Sequence, residues 1–422
     1  MPSADPPDTP PGEPQKLGLG QLFAVCLRIG ATGFGGVMAL LSLLQEHFVE
    51  RRKAVTREEF AEGVAIGQIL PGPVAIDAAT HLGYRLHGWL GAMAATVGMV
   101  LPAFLLMLIL TPLYLTYGVV PQAQGFLLGV RPAVVALILA ASWRIGKRST
   151  TSVGPVIIAV VVFGAMVAGA YPILLVLLAG TLGILLCPTT QAGPGARSRP
   201  AAAPGALTGG GASGPWRLLV IVVVAALVVG GGVLALHLSR HGGGGTLRLA
   251  LVGLRVGTFV FGGGFVMVPL LEGYVVGPYP WLNHQQFVDA VALGQMTPGP
   301  LLVTATFVGY KVSGLLGAVV GTVSIFLPSF FMTIAASHHL NRIRRNFYVQ
   351  RIVKGTEAGV VGLVVASAVL LGRISIVSVP QAVLAVAALV VLLRFKVDSG
   401  LVVIVAGLLG LVLSLTGLVR PA

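Results

Sequence analysis

Charge is what this chain has least of. It carries 13 acidic and 27 Lys or Arg residues among 422, so charged side chains make up 9% of a sequence that is 56% hydrophobic, with a mean hydropathy of +0.94. A globule of this size cannot cover a water-facing surface with so few charges, which excludes an ordinary soluble domain and leaves the bilayer as the solvent. Cysteine is nearly absent. Cys26 and Cys187 stand in apolar segments without a CxxC partner, which supports neither a disulfide framework nor a thiolate metal site. The eight histidines show no HExxH and no repeated ligand spacing, and His338-His339 beside a basic loop reads as a solvated pair, so no metal is expected. No Walker A loop, dinucleotide fingerprint or GxSxG elbow stands in a strand-turn-helix context. No enzyme activity, catalytic residue or cofactor is therefore expected, and ATP-driven work would need a partner.

What the chain does have is long apolar runs. Residues 218–236 contain no charge at all, enough to cross roughly 30 Å of hydrocarbon. The net charge of +14 sits in short loops between such runs rather than in a basic stripe with interleaved aromatics, so it reads as membrane topology and not as a nucleic-acid surface. Residues 1–17 form a proline-rich acidic tail without the basic start of a signal peptide. The expected order is then a first transmembrane repeat at 18–187, a flexible Ala/Gly/Pro/Ser linker at 188–216, a connecting helix at 217–237 and a second repeat at 245–419.

The word repeat is earned by the residues. Gly67-Gln68-Ile69-Leu70-Pro71-Gly72-Pro73 recurs as Gly294-Gln295-Met296-Thr297-Pro298-Gly299-Pro300. Arg28, Gly30 and Phe34-Gly35-Gly36 recur as Arg255, Gly257 and Phe261-Gly262-Gly263, and Gly83-Tyr84-Arg85 as Gly309-Tyr310-Lys311. Such order marks an internal duplication. The loop with Arg51, Arg52, Lys53 and Arg57 corresponds to residues 274–286, which have no Lys or Arg, whereas residues 116–129 lack basic residues and their counterpart carries Arg342, Arg344, Arg345, Arg351 and Lys354. Because basic short loops stay cytoplasmic, the halves should lie upside down to one another. The fold class expected is an all-α polytopic membrane protein whose two halves form an inverted repeat with broken or re-entrant helices. Mid-segment Pro and Gly favour re-entrant hairpins at the Phe-Gly-Gly and Pro-Gly-Pro segments, giving nine spans plus four hairpins rather than thirteen spans.

A helix broken at Pro71, Gly72 and Pro73, and again at Pro298, Gly299 and Pro300, frees backbone N–H groups at the start of the next helix, where the dipole favours an anion. Gln68 and Gln295 would donate nearby. One such break is an ordinary packing kink; two aligned copies point to a site. Arg28 and Arg255 lie in apolar segments and either contact the ligand or snorkel to an interface. The pairs Gly35-Gly36 and Gly262-Gly263 allow unwinding or close helix approach. Among the few acids near apolar segments, Glu62, Asp77, Glu272, Asp289 and Glu357 either carry protons or balance Arg28, Arg131 or Arg255, and Arg131, Lys354 and Glu357, after the third segment of each half, line a pore or lie at an interface.

At these residues the chain resembles the chromate ion transporter family in its long two-half form: Phe-Gly-Gly, Gly-Gln-x-x-Pro-Gly-Pro, Gly-Tyr and Leu-Pro-x-Phe occur in both halves, over about 28–136 and 255–362. The resemblance implies a secondary transporter that exports chromate from the cytoplasm, confers chromate resistance and sits as a multi-pass protein in the bacterial inner membrane. Departures are Gly264, a third glycine in half two, and the long linker. The ligand is then chromate or a sulfate-like dianion, and the lipid bilayer is the only other partner the residues call for. A homo-oligomer stays open, as do a sulfate or other oxyanion importer or channel and, more remotely, a membrane-embedded enzyme.

Overall fold

The computed structural model describes residues 17–118, 120–150, 152–187, 244–340, 346–395 and 397–417. The tail before residue 17, the linker and the connecting segment at 217–237 lie outside the described residues, as do Arg342, Arg344 and Arg345. Among the described residues there are fourteen α-helices and no strand, seven in each half. The first half has α1 (Leu19–Thr32), α2 (Val37–Gln45, prolonged by a π turn, Glu46–Arg51), α3 (Arg57–Ile69), α4 (Val74–Tyr117), α5 (Pro121–Ser149), α6 (Val153–Val167) and α7 (Pro172–Leu186). The second repeats the order with α8 (Gly245–Phe259), α9 (Met267–Val275), α10 (His284–Met296), α11 (Thr304–Ser337), α12 (Phe347–Ser375), α13 (Val379–Arg394) and α14 (Ser399–Leu415), with short 3-10 turns before α9 and α11.

Two of these helices fold back on themselves. In α4 the chain reverses at His87 and Gly88, the latter at φ +59° and ψ −143°; in α11 it reverses at Ser313 and Gly314, with the same pair of angles at the glycine. A side chain at positive φ is strained, so glycine at this place in both copies has a backbone reason. The limbs at 74–86 and 89–117 are clasped by Thr80 and Thr96 hydroxyls 2.7 Å apart, and those of α11 by Thr306 and Thr322 at the same distance. Gly83 against Gly91, and Gly309 against Gly317, bring the limb backbones together where a Cβ would meet a carbonyl.

The first limb of α4 also runs antiparallel to α3. Gly67 packs against Val74 and Gly63 against Ala78, and Arg85 reaches Glu59 at 2.6 Å. Residues 57–86 are therefore a re-entrant hairpin with Pro71-Gly72-Pro73 at its tip, and 284–312 repeat it. Helices α1 and α2 make the other hairpin. Leu17 accepts a hydrogen bond from His87 at 2.5 Å, so α1 starts at the base of the first hairpin, and the short connection 52–56 returns α2 to that same base. The turn between them is Phe34-Gly35-Gly36. The hairpin expectation holds for both segments.

The halves are inverted. The second limb of α11 leaves the hairpin base of half two at Ser313 and ends at the base of half one, where Ser337 meets His81 at 2.8 Å and the His338 ring lies 5.4 Å from that of Tyr84. The second limb of α4 does the converse, carrying Tyr114 to Asp289 (2.7 Å) and Phe307. The halves also interlock, since α13 and α14 pack on α5 while α6 and α7 pack on α12. Among the described residues four helices are long and apolar enough to cross a membrane, namely α4, α5, α11 with its 3-10 lead, and α12. The end helices α6, α7, α13 and α14 have 15 to 17 residues, about 22–26 Å, and are short of the full hydrocarbon thickness. Single cysteines replacing Thr56 and Asn283, the exposed N-caps of α3 and α10, should react with an impermeant maleimide from opposite sides of the membrane. Loss of a cap costs roughly 0.5–2 kcal/mol, which the fold should tolerate, and Cys26 and Cys187 are buried. Labelling of both from one side would contradict the inversion.

Candidate functional site

All four hairpin tips open on one cavity of about 430 Å³. From half one come Phe34, Gly35, Gly36, Gln68, Pro73 and the first turn of α4; from half two come Gly262, Gly263, Gln295, Thr297, Gly299, Pro300 and Leu301. The tips are tied across the halves: the Gly72 N–H donates to the Val260 carbonyl at 2.7 Å, and Gly299 packs against Ala103. At the start of α4 the Ile76 and Asp77 N–H groups fold back onto the Pro73 carbonyl, while Val74 and Ala75 line the cavity. The helix N-terminus thus presents its positive end to the cavity, the arrangement that suits an anion. Gln295 is held by Ser399, whose hydroxyl donates to its side-chain oxygen at 3.4 Å, which leaves the amide NH₂ as a donor.

Cationic charge comes from a helix the repeat pattern did not single out. Arg144 and Arg148, four residues apart on one side of α5, line the same cavity, and Glu357 of α12 faces them. Arg144 is oriented by donating to the Leu392 carbonyl at 2.6 Å, and Ser149 donates to Glu357 at 3.3 Å. Both arginines lie toward the end of α5, so the cavity extends from the tips toward the face that carries Arg51, Arg52, Lys53 and Arg57, called here the basic face. Their repeat counterparts are the apolar Leu370 and Ile374. Nothing in the duplication could have revealed them, and in sequence they look like the usual basic residues of a last helical turn.

Toward the opposite face lies a buried ion pair. Arg131 on α5 donates from Nε and Nη2 to the two oxygens of Asp289 on α10 at 2.8 and 2.9 Å, and the Tyr114 hydroxyl adds a third bond at 2.7 Å. Asp289 is fully buried and Arg131 is 14% exposed. Thirteen residues of α5 separate Arg131 from Arg144, about 20 Å along the axis, so this pair stands between the cavity and the opposite face. The counterparts of Arg131 and Asp289 are Glu357 and Glu62, two acids that cannot form such a bond.

The remaining candidates fall outside the cavity. Pro71, Gly72 and Pro298 shape the tips without lining it. Arg28 is exposed on α1, and Arg255 is half-buried on α8 near Tyr274. Glu62 lies at the hairpin base, 3.6 Å from Arg85. Glu272 accepts from Ser367 at 3.3 Å and meets His284 at 2.9 Å; that hydrogen bond raises the imidazole above its ordinary range. Asp77 is buried behind the first tip.

The family model described as "Chromate transporter" matches residues 20–184 and 247–411, one copy per half. The chain belongs to the chromate transporter family. It is 32% identical to the chromate transport protein of Cupriavidus metallidurans over 93% of both chains, and 32% identical to that of Pseudomonas aeruginosa over 94% of this chain and 93% of the other. A probable chromate transport protein of Synechococcus elongatus is 29% identical over 93% of this chain and 95% of its own length. No solved structure matches the chain. Membership makes it a multi-pass membrane protein of a transporter family rather than of an enzyme family, and both copies of the family pattern contribute their tips to the cavity.

Proposed function

We propose that this protein is a secondary transporter that exports chromate from the cytoplasm across a bacterial inner membrane and so confers chromate resistance. The observation that carries the reading is the convergence of four helix breaks and two arginines on one cavity. The helix N-terminus, the glutamine amides and the guanidinium groups are all donors, and their summed positive potential favours a tetrahedral dianion. By the rule that basic loops are retained inside, the basic face is cytoplasmic. The cavity then faces the cytoplasm, and Arg131 with Asp289 and Tyr114 shuts the far side, as alternating access requires of one end state.

Outward movement of a dianion needs no second fuel. Two charges leaving a membrane that is negative inside by about 100 mV fall by about 4.6 kcal/mol. Asp289 and Glu62 are engaged with Arg131 and Arg85, which favours charge balance over proton carriage for these two. Everted vesicles should accumulate labelled chromate in response to imposed voltage, with sulfate as the competitor that measures selectivity. Accumulation of sulfate without chromate would favour a sulfate carrier instead, and no voltage-driven uptake of either would refute the reading.

The arginines give a sharper expectation. Arg144→Gln and Arg148→Gln should each raise the KM for chromate about tenfold or more, since a hydrogen bond to a charged group contributes roughly 1.5–3 kcal/mol. Much of the effect should fade at high salt. Unchanged initial rates at low salt in the double variant would remove both residues from the anion path.

A further inference from the structure

Behind the first tip lies a buried polar pocket that the anion cavity does not use. Asp77, one turn into α4, is fully buried, and neither of its carboxylate oxygens has a hydrogen-bond partner. Ser329 and Thr333 of α11 face it; both are buried, the Ser329 hydroxyl makes only a long bond to the Phe326 carbonyl at 3.4 Å, and the Thr333 hydroxyl is unpartnered. Gly72 fills the remaining side, where a Cβ would meet both the Asp77 carboxylate and Ser329. Among the described residues no cationic side chain pairs with Asp77. Further along its own limb come His81, whose Nδ1 is taken up by Ser337 at 2.8 Å, then Tyr84, and Arg85 held by Glu59 and Glu62. From α11 the groups are Ser329, Thr333, Ser337 and finally His338; from α3 they are Glu62 and Glu59 at the hairpin base.

The duplication supplies its own comparison. At the equivalent place behind the second tip stand Thr304, Ala103 and Met107, with Ala103 against Gly299 as Ser329 is against Gly72. Thr304 there turns its hydroxyl onto the Leu301 carbonyl at 2.9 Å and leaves nothing unsatisfied. The fold therefore closes around apolar side chains at this point, and packing does not call for the acid and two hydroxyls in half one. A buried carboxylate and a buried hydroxyl that the protein itself leaves without a well-formed bond are groups retained for a ligand.

We propose that Asp77, Ser329 and Thr333 form a site for one small monovalent cation, a proton or sodium, whose filling is linked to anion binding at the tip in front of it. The linkage rests on the reading that the tips hold a dianion. Hard oxygen ligands suit a proton or sodium, and an unwound membrane helix is where such sites are built. An unfilled carboxylate on one side of Gly72 repels a dianion on the other across a medium of low dielectric, and a cation on Asp77 removes that repulsion. By reciprocity the anion must raise affinity for the cation by the same factor. The dianion then travels with one positive charge, and one net charge moves instead of two.

The test uses full-length protein in nanodiscs. Equilibrium binding of labelled chromate is measured with sodium against N-methylglucamine at fixed pH, and with pH varied in the alkaline range where chromate stays a dianion. Affinity should rise with one of these cations, by roughly 5- to 150-fold, the usual span of coupling between linked sites. Asp77→Asn should bind chromate with no such dependence. Ser329→Ala with Thr333→Val removes the hydroxyl ligands and should abolish a sodium effect while sparing a proton effect, which identifies the ion. Thermal unfolding without chromate is the independent arm: the cation should raise Tm in the wild type and not in Asp77→Asn. Normal chromate binding with no cation dependence, or the same dependence in Asp77→Asn, overturns the proposal. A Tm response without chromate binding would uphold the cation site and overturn the anion reading instead.

Discussion

Gly72→Leu should abolish chromate transport while the protein still inserts in the membrane. Gly72 sits at φ +148°, a region that residues other than glycine occupy at a cost of about 1–3 kcal/mol. A Cβ there would also meet the Asp77 carboxylate and lie 2.5 Å from the Ser329 Cβ, so the tip must shift whatever rotamer follows. The tip orients the first turn of α4, and moving it turns N–H groups away from the anion. Gly299→Ala should do less. Its φ of +117° is strained in the same way, but the nearest atom is the Ala103 Cβ at 3.1 Å, in a position that can yield by a few tenths of an ångström. Gln68→Ala or Gln295→Ala should cost roughly 1.5–3 kcal/mol in anion affinity through one lost charge-assisted hydrogen bond. Initial rates in everted vesicles, corrected for the amount of inserted protein, order these variants. Full transport by Gly72→Leu would mean that the breaks serve packing alone.

The tips were legible in sequence because they occur twice. Two prolines around a glycine in one apolar segment have many explanations, but recurrence in the same register with a glutamine three residues upstream of the first proline leaves few. Inversion was legible for a similar reason, since equivalent loops differ in the one property that sets orientation. The reversals at Gly88 and Gly314 could have been found in the same way. Their glycines align, yet a lone glycine between two apolar runs carries no sign of whether the chain bends or doubles back.

Asymmetric features stayed hidden. Arg144 and Arg148 have apolar counterparts, and their place in the cavity depends on how α5 packs against α10, α12, α13 and α14 of the other half. The partner of Asp289 was one of three arginines until the fold chose Arg131, 158 residues away. Asp77 had no acidic counterpart, and only the position of α11 shows that two hydroxyls come with it. Duplication gives a symmetric frame, and the differences between its copies tell one face of the membrane from the other.

The difference with the largest mechanical consequence is the buried ion pair. Asp289→Asn should inactivate transport and destabilise the form closed toward the opposite face, because it leaves the Arg131 cation largely buried without a counter-charge, a loss of about 3–5 kcal/mol. Arg131→Leu should be the milder change thermodynamically, since Asp289 keeps its hydrogen bond from the Tyr114 hydroxyl. In both, the barrier that separates the cavity from the opposite face is weakened. A cysteine replacing Ala141, which lines the cavity, should then react with an impermeant reagent added on that face, whereas in the otherwise wild-type background it should react only from the basic face. The charge-exchanged pair Arg131→Asp with Asp289→Arg should recover part of the protection if the bond itself is the lock. Recovery will be incomplete, because Tyr114 donates to a carboxylate and meets a guanidinium in the exchanged protein. Equal labelling from the opposite face in wild type and Asp289→Asn would show that the pair stabilises the fold without gating it. The two acids at the counterpart positions, Glu62 and Glu357, cannot lock the basic face in the mirrored state. On the proposed alternating-access reading closure there falls to other groups, so variants of the pair should bias the protein toward the opposite face and not simply loosen it on both.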